Sequence, residues 1–410
     1  MATPPTPDSP DSPDSPDSPD PSARPKVPNY WDYLAIDKLL SLQGGLEGDD
    51  TALVPDELLF IIVHQAYELW FKMVLRELKE AVTLLKSGPL LETQVPYVVH
   101  HLRRVGQILR LAVEQFHIIE TLTPQDFLGF REKLTPASGF QSFQMRELEI
   151  VLGLDAHQRE TYGKTDALDH IKELADRSPA GALAWKRLSA ASAKARAGGT
   201  IRAVLHDWLY RTPIDGSSPD NPDDDAVVGQ FLERYEAALK AHHDRQVDRL
   251  VATGLTAGKE VQARFDRSAE MAHMFLSATD LTEDSLSPGE DLDEVRRRRR
   301  RIRAGLLFIE SHRSLPLLAW PRLLVDTVVE VEEQLVLFRT RHARMVERVI
   351  GRRVGTGGSS GVDYLDRTTK HRIFGDLWTV RTLLLPKELV PPVQRPERYA
   401  FAVAGNPTQG

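Results

Sequence analysis

Residues Asp56–Lys86 read DELLFIIVHQAYELWFKMVLRELKEAVTLLK, and their apolar residues recur at helical spacing. The seam Glu57, Phe60, His64, Tyr67, Phe71, Val74 and Leu78 alternates steps of three and four, which places its members on one face of an α-helix. Two further stretches carry the same signature. One runs through Val98, Leu102, Val105, Leu109, Ala112 and Phe116; the other, within Pro321–Ile350, through Val328, Val331, Leu335, Phe338, His342, Met345 and Val349. A single amphipathic helix cannot cover its own stripe, so three long ones imply a bundle in which each covers the others. No segment sustains the two-residue alternation of a half-buried strand. The fold class expected is therefore all-α, a helical bundle.

Outside these helices the chain changes character. Roughly residues 155–303 are more charged, with shorter helices expected at Ile201–Tyr210 and Val227–Thr253, and form a smaller helical insert. Within it Asp215–Asp225, DGSSPDNPDDD, reads as an acidic exposed loop. Residues 1–28 hold ten of the 27 prolines and repeat Ser-Pro-Asp over Ser9–Asp20 with nothing apolar to bury, the composition of a disordered acidic tail. The folded body then spans 29–390, and 391–410 is an irregular tail that wraps the surface or frays.

Composition limits the chemistry. Hydrophobic residues at 41% and charged ones at 27% describe a soluble globular chain. No unbroken apolar run approaches the ~18 residues of a membrane span, and no basic-then-apolar leader opens the chain, so a cytoplasmic protein without a membrane partner is expected. Zero cysteines exclude thiolate-ligated haem, iron–sulfur clusters, cysteine nucleophiles and cysteine zinc sites. A net charge of −7 argues against a nucleic-acid partner. The run Arg296–Arg301 follows Glu290, Asp291, Asp293 and Glu294, and an acid-then-base helix with its own charge pairing is the better account of it.

Two of the three stripes carry one histidine each, His64 and His342. A lone histidine on an apolar face is ordinarily a hydrogen-bonded core residue; two on separate helices of one bundle also suit a flat cofactor with an axial imidazole. His100, His101, His242 and His243 fit such a site less well, H-E-x-x-H is absent, and a non-haem iron triad stays open on spacing alone. Two loops stand out. Gly355–Gly361, GTGGSSG, is either a flexible linker or a hydroxyl-bearing loop whose backbone N–H groups can close on an anion. Arg131–Gln141, REKLTPASGFQ, sets Arg131 beside Phe127 and Phe130, where it either snorkels over the rings or binds a carboxylate as a fork.

These segments resemble the tryptophan 2,3-dioxygenase family. The resemblance rests on Tyr30-Trp31-Asp32-Tyr33-Leu34 with Asp37-Lys38-Leu39-Leu40, on Phe60–Lys72 (FIIVHQAYELWFK), on Phe127–Ser142, and on Arg341-His342 with GTGGSSGVDYL at Gly355–Leu365. Four motifs in order cover nearly the whole body.

The resemblance implies a bundle enclosing a b-type haem, ferrous when active, with His342 as the iron ligand and Ser138 and Gly139 beside the cofactor. It makes His64 the partner of the indole N–H, Arg131 the grip on the substrate carboxylate and Thr356 a holder of its ammonium group. Phe60 and Phe127 become walls of the indole pocket. Tyr30 and Tyr33 are expected to reach a neighbouring subunit's pocket, hence an intertwined homotetramer. The reaction implied is O2-dependent cleavage of the indole C2–C3 bond of L-tryptophan to N-formyl-L-kynurenine, the first step of tryptophan catabolism. One departure is Asp376-Leu377-Trp378-Thr379-Val380-Arg381, where the family usually has Phe-Asn-Leu after Asp-Leu. It leaves open a substituted tryptophan as substrate in secondary metabolism, and the scaffold also admits a haem sensor without turnover.

Overall fold

Helices form where the apolar periodicity and the capping residues call for them. The computed structural model describes residues 29–86, 88, 92–135, 137–155, 161–162, 165–254, 258–286, 289–355 and 361–400. The expected tail at 1–28 and the last ten residues lie outside that set. The chain divides into two units, up to Leu53 and from Val54 onward.

The described part of the first unit holds α1 (Tyr30–Leu34) and α2 (Ile36–Leu39), joined by Ala35 in the left-handed conformation. Asn29 caps α1 by accepting the Asp32 N–H at 2.8 Å. Tyr30 and Tyr33 are 70% and 79% exposed.

The second unit contains α3 (Pro55–Lys86), α4 (Val95–Ile119), α5 (Pro124–Phe130), α6 (Phe143–Leu152), α7 (Ala167–Ala175), α8 (Pro179–Arg196), α9 (Ile201–Tyr210) and α10 (Asp224–Ala252). It continues with α11 (Gly258–Ser277), α12 (Leu292–Ser311), α13 (Ala319–Ile350), α14 (Val362–Thr368) and α15 (Gly375–Thr379). The β-structure among the described residues is one antiparallel pair, β1 (Thr161–Tyr162) and β2 (Thr165–Asp166), beside an isolated bridge between Ile214 and Ser217.

The three stripe helices pack on one another as their periodicity requires: α13 runs along α4, and α4 along α3. α6 and α9 close on α3, and α12 packs on α9. The stripe of α4 is buried throughout, and those of α3 and α13 are buried except at Phe60, His64 and His342, which keep accessible surface. Each buried Leu, Val or Phe of these seams contributes about 1.5–3 kcal/mol, so an interruption shared by two helices points to a site.

By length and mean hydropathy α3 could cross a membrane. Its unbroken apolar runs are short, and it carries His64, Gln65, Glu68 and Lys72 within the same stretch. Its packing against α4, α6 and α9 is that of a central bundle helix.

Two expectations change with the tertiary structure, and a third is narrowed to one of its alternatives. Four arginines of the Arg296–Arg301 run bond to other elements. Arg299 meets Asp376 at 3.0 Å, Arg301 meets Asp224 at 2.7 Å, Arg298 meets Asp207, and Arg296 donates to the Leu281 carbonyl. Asp291 instead caps α12, accepting from the Glu294 N–H at 2.9 Å. The acidic loop is only partly exposed: Asp215, Ser217 and Asp224 are buried, because Arg234 and Arg301 reach in to neutralise the carboxylates. The C-terminal segment wraps rather than frays up to Ala400, with Gln394 donating to Asp215 and the Tyr399 hydroxyl to the Pro213 carbonyl.

Candidate functional site

The stripe interruptions meet at one cavity. α3, α4, α6, α13 and α14 line an open cavity of about 250 Å3. Most of the wall is apolar: Val63, Tyr67 and Phe71 from α3, Phe116 and Ile119 from α4, Phe338, Met345, Val346 and Ile350 from α13, with Phe127 of α5. Into this wall are set His64, Glu68, Arg131, Ser138, Arg146, Glu149, Arg339 and His342.

His64 is oriented by its own helix. Its Nδ1 lies 2.7 Å from the Phe60 carbonyl oxygen, which can only accept, so Nδ1 carries the proton and Nε2 the lone pair. Burial lowers the His64 pKa, against the opposing pull of the Phe60 carbonyl and Glu68. The residue is thus a neutral imidazole presenting one hydrogen-bond acceptor. Phe60 stands against it at 4.0 Å between ring centroids, and 5.9 Å from Phe127. Phe60 therefore braces His64 and Phe127, and Phe127 itself forms the wall.

His342 lies on α13, stacked at 5.7 Å and 16° on Phe116 and 6.2 Å from Phe338. Its pKa is pushed down to about 4, first by burial, then by His64 and Arg146. Deep burial and residual accessible surface coexist here because that surface opens into the cavity rather than into bulk water.

Arg131 follows α5, whose start is fixed by Thr123 accepting the Asp126 N–H at 3.2 Å. Its Nη2 donates to the Val354 carbonyl at 2.5 Å, while its Nε is buried with no hydrogen-bond partner. A guanidinium held at one nitrogen with a second N–H unsatisfied in an apolar cavity suits a carboxylate. Ser138 and Gly139 line the same cavity. Thr356 lies outside the described residues, though Gly355 and Gly361 on either side of its segment line the cavity. Gly361 has φ +59°, and a Cβ there would meet the Arg353 carbonyl oxygen at 2.7 Å, so glycine is required. Tyr30 and Tyr33 belong to the first unit and are exposed.

The polar residues of α6 and Arg339 were not singled out from the sequence. The signal was present: Arg339 lies three residues before His342 on its stripe helix, and α6 places Arg146 and Glu149 one turn apart between apolar neighbours.

The residues present fit a haem. The cavity walls are mostly hydrocarbon, and the imidazoles of His64 and His342, both with lowered pKa, face it from two helices.

Comparison with known proteins points the same way. The family profile described as tryptophan 2,3-dioxygenase matches residues 20–384. A tryptophan 2,3-dioxygenase of Sorangium cellulosum is 44% identical over 382 residues, covering 92% of this chain and 89% of the relative. Tryptophan 2,3-dioxygenase 2 of Ralstonia nicotianae is 44% identical over 380 residues, covering 92% of this chain and 98% of the relative. A tryptophan 2,3-dioxygenase-like protein of Xanthomonas campestris is 46% identical over 288 residues, covering 69% of this chain and 99% of the relative.

Proposed function

The chain belongs to the tryptophan 2,3-dioxygenase family, and on that premise we propose that it is a cytoplasmic, haem-dependent oxidoreductase that opens the indole ring of L-tryptophan. Both atoms of O2 are added across the C2–C3 bond, giving N-formyl-L-kynurenine, the first step of tryptophan catabolism. The observation that carries this reading is the convergence on one cavity of a neutral histidine on α13, an oriented acceptor on α3 and an unsatisfied guanidinium nitrogen after α5.

His342 would hold a b-type haem, and the iron, when ferrous, supplies the activation of O2. The chain's own residues do the rest. His64 accepts the indole N–H at Nε2; its Nδ1 proton is committed to the Phe60 carbonyl, so the ring cannot turn over to offer a donor without losing that bond. Arg131 pairs with the substrate carboxylate, and Thr356 stands in the sequence where the ammonium holder belongs. Phe127, braced by Phe60, gives the indole a flat wall. Carboxylate and indole N–H fixed at two points leave one orientation for the reacting bond, and the apolar walls keep water from it. Ser138 and Gly139 flank the cofactor. The exposed Tyr30 and Tyr33 are assigned to a neighbouring subunit's pocket in a homotetramer.

The test is direct. Protein purified from haem-sufficient cells is expected to show a Soret band, and the ferrous form to convert tryptophan to N-formylkynurenine under O2. Absence of the band, or a band without turnover, would refute the enzyme reading.

A further inference from the structure

One carboxylate on the cavity wall has no part in the reading above. Glu68 lines the cavity one helical turn beyond His64 on α3, ~6 Å along the axis, and within electrostatic reach of that imidazole. Gln144 of α6, itself buried, holds it in place. The Gln144 amide nitrogen donates to the Glu68 carbonyl oxygen at 2.7 Å and to its Oε2 at 2.8 Å. Oε1 makes no hydrogen bond, and the carboxylate no ion pair, among the described residues. An ionised carboxylate accepts hydrogen bonds and cannot donate, so it selects by charge what stands before it.

The order of residues along α3 says which part of a substrate that is. Phe60, one turn before His64, packs on Phe127 and Phe130 of α5 at 5.9 and 5.7 Å between ring centroids, and Arg131 directly follows that helix. Lys133 reaches Glu57 near the start of α3. Arg131 therefore stands toward the N-terminal end of α3, and Glu68 on the opposite side of His64. In tryptophan the amino-acid side chain leaves the ring at C3, and C7 carries the ring hydrogen beside the N–H, away from that side chain. A substrate with its carboxylate at Arg131 and its N–H at His64 turns its C7 edge toward Glu68.

We propose that Glu68, held by Gln144, sets selectivity at ring carbon C7 of the substrate, favouring a hydrogen-bond donor there and disfavouring an electronegative substituent. This rests on the tryptophan reading of the site and narrows it. The edge of an aromatic ring carries partial positive charge, so the unsubstituted C7–H sits well against a carboxylate. A C7 hydroxyl adds a charge-assisted bond. A C7 fluorine instead sets a negative group against the carboxylate.

Calorimetric titration of the holoprotein without O2, so that nothing turns over, tests this with tryptophan and its 7-hydroxy, 5-hydroxy and 7-fluoro derivatives. Comparing each ratio of Kd values in wild type with the same ratio in Glu68→Gln cancels the intrinsic properties of each ring. The preference for 7-hydroxytryptophan over 5-hydroxytryptophan is expected to fall by about five- to ten-fold in Glu68→Gln, the difference between a charge-assisted and a neutral bond. The same variant should bind 7-fluorotryptophan better relative to tryptophan than wild type does. Unchanged ratios overturn the proposal, and so does an equal loss of affinity for all four ligands, which would mean that Glu68 acts through His64 or the fold. If the Gln chain does not hold haem, Glu68→Asp decides. It withdraws the carboxylate by one methylene and should lower the 7-hydroxy preference, and a preference as high as wild type's overturns the proposal. Wild type that binds tryptophan while the ratios stay fixed overturns this inference alone; wild type that binds no tryptophan overturns the substrate reading with it.

Discussion

On the proposed reading Arg131 and His64 would hold the substrate by different physics, and their variants should fail differently. A fork from Arg131 to the substrate carboxylate would be a charge-assisted pair of about 1.5–3 kcal/mol, roughly ten- to 150-fold in affinity. Arg131→Lys keeps the charge but loses the fork and the bond to Val354, so kcat/KM for tryptophan should fall by about ten-fold or more. The same change should matter little for tryptamine, which has no carboxylate. His64→Ala removes one neutral hydrogen bond of about 0.5–1.5 kcal/mol and should weaken binding less, with the haem retained and some rate lost through misorientation. If wild type uses tryptophan and tryptamine equally, Arg131 is not a carboxylate clamp. His342→Ala is predicted to lose tight haem binding, read as loss of the Soret band. A normal histidine-ligated spectrum in that variant would move the ligand to His64 or elsewhere.

At the scale of the element, α13 does two jobs. Its C-terminal half presents His342, and its middle anchors the segment that follows α14. Glu332, 1% exposed, accepts the backbone N–H groups of Ile373 and Phe374 and, at 2.5 Å, the Trp378 indole N–H. Three donors depend on one carboxylate. Trp378 falls in the stretch that departs from the family's usual sequence, and its indole nitrogen is spent on this bond rather than on the cavity. Glu332→Ala leaves all three donors without a partner and should cost on the order of 3–5 kcal/mol, while Glu332→Gln, which keeps one acceptor oxygen, should cost less. Urea denaturation measures both. An alanine variant as stable as wild type would show that water replaces the carboxylate without loss.

For the whole molecule, acid should be destabilising, with a traceable source. The His206 pKa is pulled down to about 3, first by burial, then by Arg299, against the pull of Asp376. The unfolded histidine takes up its proton near pH 6.5 and the folded one does not, so the unfolded state binds more protons as pH falls. Stability is thus full above pH 6.5 and declines below it by up to about 1.4 kcal/mol per pH unit. Asp376, held low by Arg303 and Arg299 against its own burial, contributes with the same sign at lower pH. His206→Asn should flatten the fall in denaturation midpoint between pH 7 and 5; an unaltered slope would assign it to other groups. Assembly supplies the other test at this scale. Deleting residues 1–28 should leave activity near wild type, whereas deleting through Leu34, and with it Tyr30 and Tyr33, should cripple it. A fully active chain lacking both tyrosines would refute the shared pocket.

The sequence by itself determined the three stripes, and with them the bundle, because a period near 3.6 leaves each helix one face to bury. Helix α9 falls at Ile201–Tyr210, where the sequence placed it. His64 and His342 were legible as exceptions on those stripes, and the resemblance gave them roles that spacing alone left open. Which charges meet was decided only by the tertiary structure. The Arg run of α12 was expected to pair with acids a turn away in its own helix, yet it meets Asp207, Asp224 and Asp376, distant in sequence and brought close by packing. The cluster of Arg146, Glu149 and Arg339 arose the same way, from α6 and α13 closing on one cavity. Apolar periodicity is a local property, readable along a single helix. An ion pair between helices depends on how far the chain has folded back, and a linear pattern does not record that distance.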